Sequence, residues 1–117
     1  MGNMISALVK RPGEIPRHVN ISNSLEALQR NVEGFVEVVT LIPPEEKKGR
    51  KLPGMVVICN EEGRLRDMPY NCTIWNQDYV GPIIICGCQD DEFIDLPLPW
   101  GVMKCMFPSF WEKEAAR

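Results

Sequence analysis

Ten prolines in 117 residues set the first limit on what this chain can fold into. An average sequence carries roughly 5% proline. Each proline removes an N–H donor and interrupts helix interiors and sheet ladders. A strand-and-loop protein with few long helices is therefore expected. The length corresponds to one domain, large enough to bury about two-thirds of the surface its unfolded chain exposes. A hydrophobic content of 44% argues against disorder. Thirteen Lys and Arg against sixteen Asp and Glu leave a net charge of -3. That balance argues against duplex nucleic acid as a partner, since duplex binders carry a basic excess.

The hydrophobic pattern then places the elements. Ile5 to Lys10 reads as a first strand, closed by the turn signal Pro12-Gly13. Ile15, Val19 and Ile21 continue in extended conformation. Asn23 or Ser24 caps a helix over about residues 24–33, in which Leu25, Leu28 and Val32 have helical spacing and Gly34 ends the run. Phe35 to Ile42 is strand material. Pro43 to Lys51 reads as a charged, mobile connection. Met55 to Cys59 and Ile83 to Cys88 are nearly all apolar, as suits strands covered on both faces. Asn60-Glu61-Glu62-Gly63 is a turn in which Gly63 is free to take positive φ. Phe93 to Leu96 forms a last strand or an arm. The expected fold is α+β: a small, mainly antiparallel sheet with one helix on a face, over residues 1–97. Residues 98–117 form an irregular, Pro- and aromatic-rich tail that packs on the domain or on a partner subunit.

No segment reads as a secretory signal, and the longest uncharged run, Tyr79 to Gln89, falls short of the roughly 20 residues that span a bilayer. Membrane association is not expected, and the five cysteines read as free thiols of a reducing cytoplasm.

Several of these segments together resemble a known family. They are Asn60-Glu61-Glu62-Gly63-Arg64-Leu65 with Met68-Pro69-Tyr70-Asn71, the earlier Ser24-Leu25-Glu26-Ala27-Leu28-Gln29 with Gly34-Phe35-Val36-Glu37-Val38, and the later Ile84-Ile85-Cys86-Gly87. In this order, over residues 5 to about 97, they resemble the small bacterial and phage proteins catalogued as domain of unknown function 3846. The resemblance implies a fold and a mobile-element setting, hence the cytoplasm of a bacterial host, and no established activity. The chain departs from the family pattern at Cys72, where a basic residue is usual, and in the tail after Pro97.

Candidate chemistry is sparse. Cys86 and Cys88 point to one face of a strand, with Cys59, Cys72, Cys105 and His18 as further conceivable ligands. Zinc motifs, however, offer two close pairs and this chain has one, so buried structural thiols are preferred and no metal or other cofactor is expected. His18, the single histidine, is read as a surface residue. Glu61-Glu62 and Asp90-Asp91-Glu92 read as solvated acidic turns. There is no glycine-rich phosphate loop, and no catalytic set emerges, so the chain is not expected to be an enzyme.

The stretch from Met68 to Tyr79 is more informative. Tyr70, Asn71, Trp75, Asn76 and Tyr79 alternate rings with amides, a mixture that suits a nucleobase or other planar ligand. The plainer alternative is a polar crossover loop anchored by Trp75. Arg64 and Arg66, two apart on one strand face, with Arg17, could add cations for phosphate. In the tail, Trp100, Met103, Met106, Phe107, Phe110 and Trp111 form an apolar set that either folds back on the sheet or makes an interface, including a homo-oligomeric one. The expectation is a non-enzymatic mobile-element binding protein. It counteracts a host defence process by sequestering a small nucleotide-like signalling molecule. The alternative is an inhibitor that docks on a host protein through its acidic surface and apolar tail.

Overall fold

The computed structural model of the chain describes residues 3–106. Its frame is a sheet of antiparallel strands. The strands are β1 (Met4–Lys10), β2 (Arg17–Ser22), β3 (Val36–Ile42), β6 (Gly54–Asn60) and β9 (Ile83–Gln89), in the spatial order β2-β1-β9-β6-β3. A short β10 (Glu92–Ile94) pairs with the far end of β9. Between β3 and β6 lies the hairpin β4 (Glu45–Lys47) and β5 (Arg50–Leu52), and between β6 and β9 the hairpin β7 (Tyr70–Ile74) and β8 (Gln77–Val80). The helices are α1 (Leu25–Val32) and α2 (Trp100–Met106). The chain is thus α+β and mostly antiparallel.

The apolar runs account for the centre of this sheet. β6 is buried at every position, and Ile83 to Cys86 of β9 are buried with it. Period-two alternation sends Val56, Ile58, Ile84 and Cys86 to one face, where they meet Leu28 and Val32 of α1. It sends Met55, Val57, Cys59, Ile83 and Ile85 to the other, where they meet Cys72, Ile74 and Tyr79 of the β7–β8 hairpin. A helix on one face and a hairpin on the other make three layers around two apolar seams.

Local chemistry fixes the ends of α1. The Ser24 hydroxyl accepts the Ala27 N–H at 3.2 Å, which satisfies one of the donors orphaned at a helix start. At the other end the left-handed residue is Glu33, with φ 65°, and not the glycine after it. Gly34 is required for space: a Cβ there would stand 2.7 Å from the Asn60 amide nitrogen.

Two expected loops are hairpins, and both turn on residues with positive φ, Lys48-Gly49 in one and Trp75-Asn76 in the other. Positive φ at both central residues of a two-residue loop marks the turn whose twist matches a hairpin. The charged connection 43–51 is therefore ordered in part as β4 and β5, and the aromatic-amide stretch is a hairpin laid on the sheet. The tail also begins with structure. Pro99 sits just ahead of α2, accepting the N–H groups of Val102 and Met103, both at 3.1 Å. Of the tail residues expected either to fold back on the sheet or to make an interface, Met103 folds back and is fully buried in the same seam as Leu8 and Ile85. Trp100 and Met106 fall within α2, while Phe107, Phe110 and Trp111 lie outside the described residues.

Candidate functional site

The turn that follows β6 carries the site. Asn60 closes β6 and is buried. Its side-chain oxygen accepts the Glu62 N–H at 2.8 Å, and its amide nitrogen donates to the Val32 carbonyl at 3.0 Å. One side chain therefore bends the chain into residues 61–67 and caps α1. Gly63 sits inside this turn without positive φ; what it avoids is a Cβ 2.9 Å from Val80. The close fit of Gly63 under Val80 lays the turn against β8.

That turn separates Arg64 from Arg66. The two guanidinium groups, expected side by side on a strand, diverge because residues 61–67 are a turn and not a strand. Arg64 donates to the Asp78 carbonyl at 2.8 Å, on the hairpin. Arg66 donates to the Glu33 carbonyl at 2.7 Å, where it caps the end of α1. Arg17 begins β2, three strand spacings from β6, about 14 Å across the sheet. The three cations are not brought together.

Arg64 stands where two clefts meet. The first, about 120 Å³, lies between the β3–β6 side of the sheet and β8, and Glu37, Cys59, Glu61, Asp78 and Tyr79 line it with Arg64. The second is wider, about 500 Å³, and opens on the outer side of the hairpin between Arg64, Asp67, Met68, Tyr70 and Val80. A relay behind Tyr70 holds that side chain in place: the Thr73 hydroxyl donates to the Asp78 carboxylate at 2.7 Å. Having spent its one proton there, Thr73 accepts from the Tyr70 hydroxyl at 2.6 Å.

The remaining candidates divide by burial. Tyr79 is 4% exposed and its hydroxyl has no hydrogen-bond partner. Burial, with the nearby Cys59, Cys72 and Glu37, pushes that phenol up to about 12. Asn71 is also buried, donating to the carbonyls of Lys10 and Gly81, which makes it a fastener of the hairpin. Trp75 and Asn76 occupy the exposed hairpin tip, away from both cleft walls. His18 lies on β2 with its ring hydrogen-bonded to the Ser6 hydroxyl.

The expectation missed Lys10 and Glu37, and weighed Cys59 only as a metal ligand. Lys10 is fully buried at the end of β1, and burial lowers its pKa; the charges of Cys72 and Glu14 act the other way. A lysine closing a strand reads as a solvated end, and nothing in the sequence marks this one as covered. Cys72, where the family resemblance leads one to expect a cation, is itself buried beside Lys10. The thiols do not converge. Cys86 and Cys88 face the helix seam, Cys59 and Cys72 the hairpin seam. Among the described residues no group of three His, Cys, Asp or Glu side chains could hold a metal ion. No described helix is long and apolar enough to cross a membrane.

An α+β sheet carrying an Asn60–Gly63 turn between two clefts defines the class of domain. A family model described as Domain of unknown function (DUF3846) matches residues 5–99, and the chain belongs to that family. No curated protein and no solved structure matches the chain.

Proposed function

We propose that this is a non-enzymatic binding protein that holds a small nucleotide-like molecule in the wider cleft beside Arg64. The observation that carries the reading is that Arg64 and Tyr70 both line an open cleft of about 500 Å³. That volume lies in the range of small-molecule sites. A guanidinium has five N–H donors. The bond to the Asp78 carbonyl uses one, which leaves capacity for a phosphate oxygen. The Tyr70 ring supplies a flat wall for a base. Asp67 is the carboxylate lining this cleft, so the charge there favours a ligand with one anionic group over a polyphosphate. In the mobile-element setting that the family resemblance implies, a protein of this kind would act by withdrawing its ligand from a host defence process.

A thermal-shift panel of cyclic and linear mononucleotides and dinucleotides tests the reading. Binding to the native state raises the melting temperature by mass action. A rise with one ligand that is lost in Arg64→Ala and Tyr70→Ala supports it. A flat response to the whole panel at millimolar concentration removes it.

A further inference from the structure

The first cleft differs from the second in charge and in what runs beside it. Glu37, Glu61 and Asp78 line it against the single guanidinium of Arg64. An acidic wall of this kind disfavours phosphate. It also does not suit a metal ion, because no three of the described ligating side chains gather around one point. Carboxylates spread around a cleft suit a cation that offers several donors in different directions, such as a guanidinium or an ammonium group. The volume of about 120 Å³ fits a head group of that size and excludes a nucleotide. The wall formed by Tyr79 adds a second observation. Its ring is almost wholly buried, its hydroxyl meets no partner, and Glu37 is its charged neighbour. The ring closes the inner wall of the cleft, where the apolar stem of a long cationic side chain can lie.

Beside the cleft runs the end of the sheet. β3 pairs with β6 on one side, and among the described residues no strand pairs with it on the other. From Val36 to Thr40 its register is regular; the irregularity begins only between Thr40 and Ile42. Neither proline nor lysine guards this stretch, and those are the residues that commonly blunt an edge strand. Glu37 and Val39 face the side of the cleft. On the opposite face Val38 is 44% exposed and Val36 half-buried. An added strand would therefore meet carboxylates on one face and apolar side chains on the other.

We infer that the free edge of β3 is a docking site for an extended basic peptide, which pairs antiparallel or parallel with Val36–Thr40 and places an arginine or lysine side chain in the Glu37–Tyr79 cleft. Main-chain pairing would supply affinity, and the side-chain pocket specificity. The partner's pattern follows from the pleat: basic residues alternating with apolar ones, the basic set toward Glu37 and the apolar set toward Val36 and Val38. This site does not depend on the nucleotide reading, which uses the other cleft.

The test uses the full chain and the peptide acetyl-Thr-Val-Arg-Val-Arg-Val-Thr-amide, followed by calorimetry and by amide exchange of Val36–Thr40. Binding is expected, with a tenfold or greater loss when both arginines become glutamate. A similar loss is expected when alternate peptide nitrogens are methylated in one register, the one whose N–H groups face the edge, and not in the other. Glu37→Lys, on an exposed edge, should weaken binding tenfold or more. Should that variant not fold, the peptide-side comparisons decide alone. Equal binding of the arginine and glutamate peptides, or indifference to methylation in both registers, overturns the proposal. So does the absence of binding at 1 mM. A protein that is dimeric at working concentration, with Val36–Thr40 already protected, also overturns it by giving the edge to a second copy.

Discussion

Asn71 and Lys10 grip each other across 61 positions of sequence: the Asn71 amide donates to the Lys10 carbonyl at 2.9 Å, and Lys10 Nζ reaches back to the Asn71 carbonyl at 3.4 Å. The same amide donates to the Gly81 carbonyl at 2.7 Å. One side chain therefore ties the end of β1, the start of β7 and the turn after β8. Both residues are buried, so the carbonyls have no water to fall back on if the amide is lost. Asn71→Ala should cost about 2–3 kcal/mol, as expected when two buried acceptors lose their donor. Urea unfolding monitored by tryptophan fluorescence measures this. A loss below a few tenths would mean that the hairpin is held by its apolar contacts alone.

Lys10 makes a prediction of opposite sign. It is fully buried, its closest acceptor is a neutral carbonyl at long range, and none of the described ion pairs includes it. Burying a charge without an opposite partner is costly, and replacing it by an apolar side chain of similar length is often stabilising. Lys10→Met should raise stability at pH 7 by about 1–2 kcal/mol. The pH dependence gives a second check. Burial holds the folded-state pKa of Lys10 below 10.5. Its neutral form is accommodated without penalty above the unfolded value, and stability is lost as pH falls through the folded value. The gain from Lys10→Met should therefore be largest at low pH and vanish above about 10.5. Paired denaturation curves of the two proteins from pH 6 to 11 would show it.

The thiols sort by depth. Burial pushes Cys72 and Cys86 up to about 12 and Cys59 up to about 11. Cys105 is exposed. The thiolate is the reactive form, so at pH 8 a disulfide reagent should label Cys105 quickly, half-buried Cys88 slowly, and the other three only as the protein opens. The linkage runs downward with alkali. These groups stay protonated in the folded chain while the unfolded chain ionises them at 9.0, so stability should fall as pH rises above about 9. Five thiols reacting at one rate would contradict this arrangement.

The contrast between legible and illegible elements has a physical cause. β6 and β9 could be read from Met55–Cys59 and Ile83–Cys86 because burial on both faces leaves an unbroken apolar run. The extent of α1 followed from Ser24, Leu28 and Val32 for the same kind of reason. The β7–β8 hairpin was hidden because its turn is Trp75-Asn76, where a tryptophan takes a φ of 48° in place of the usual asparagine or glycine. The start of the tail misled because a proline breaks a helix in its interior but favours one at its start, and Pro99 stands at the start of α2. Arg64 and Arg66 were expected to act as a pair, and the structure sends them apart. Spacing places Arg64 and Arg66 two apart in sequence, but only the turn shows that one reaches β8 and the other α1.

That turn also has a structural role that can be tested on its own, through Asn60. Asn60 and Arg66 both cap α1, at Val32 and Glu33 respectively, but in different surroundings. Asn60 is buried and additionally shapes the turn through Glu62. Arg66 is exposed, so water can replace it. Asn60→Ala should therefore cost about 2 kcal/mol, the loss of a buried donor and acceptor together, whereas Arg66→Ala should cost under about 0.5 kcal/mol, as for most surface substitutions. Asn60→Asp separates the two roles of Asn60. It keeps the oxygen that accepts from Glu62 and loses the donor to Val32, and its carboxylate faces the negative end of the helix dipole. It should be at least as destabilising as Asn60→Ala, with the loss of protection concentrated in the last turn of α1. Chemical denaturation ranks the three variants, and amide exchange at residues 29–34 locates the loss. If Arg66→Ala proved the most damaging of the three, the end of α1 would be held from the solvent side, and Asn60 would need another explanation.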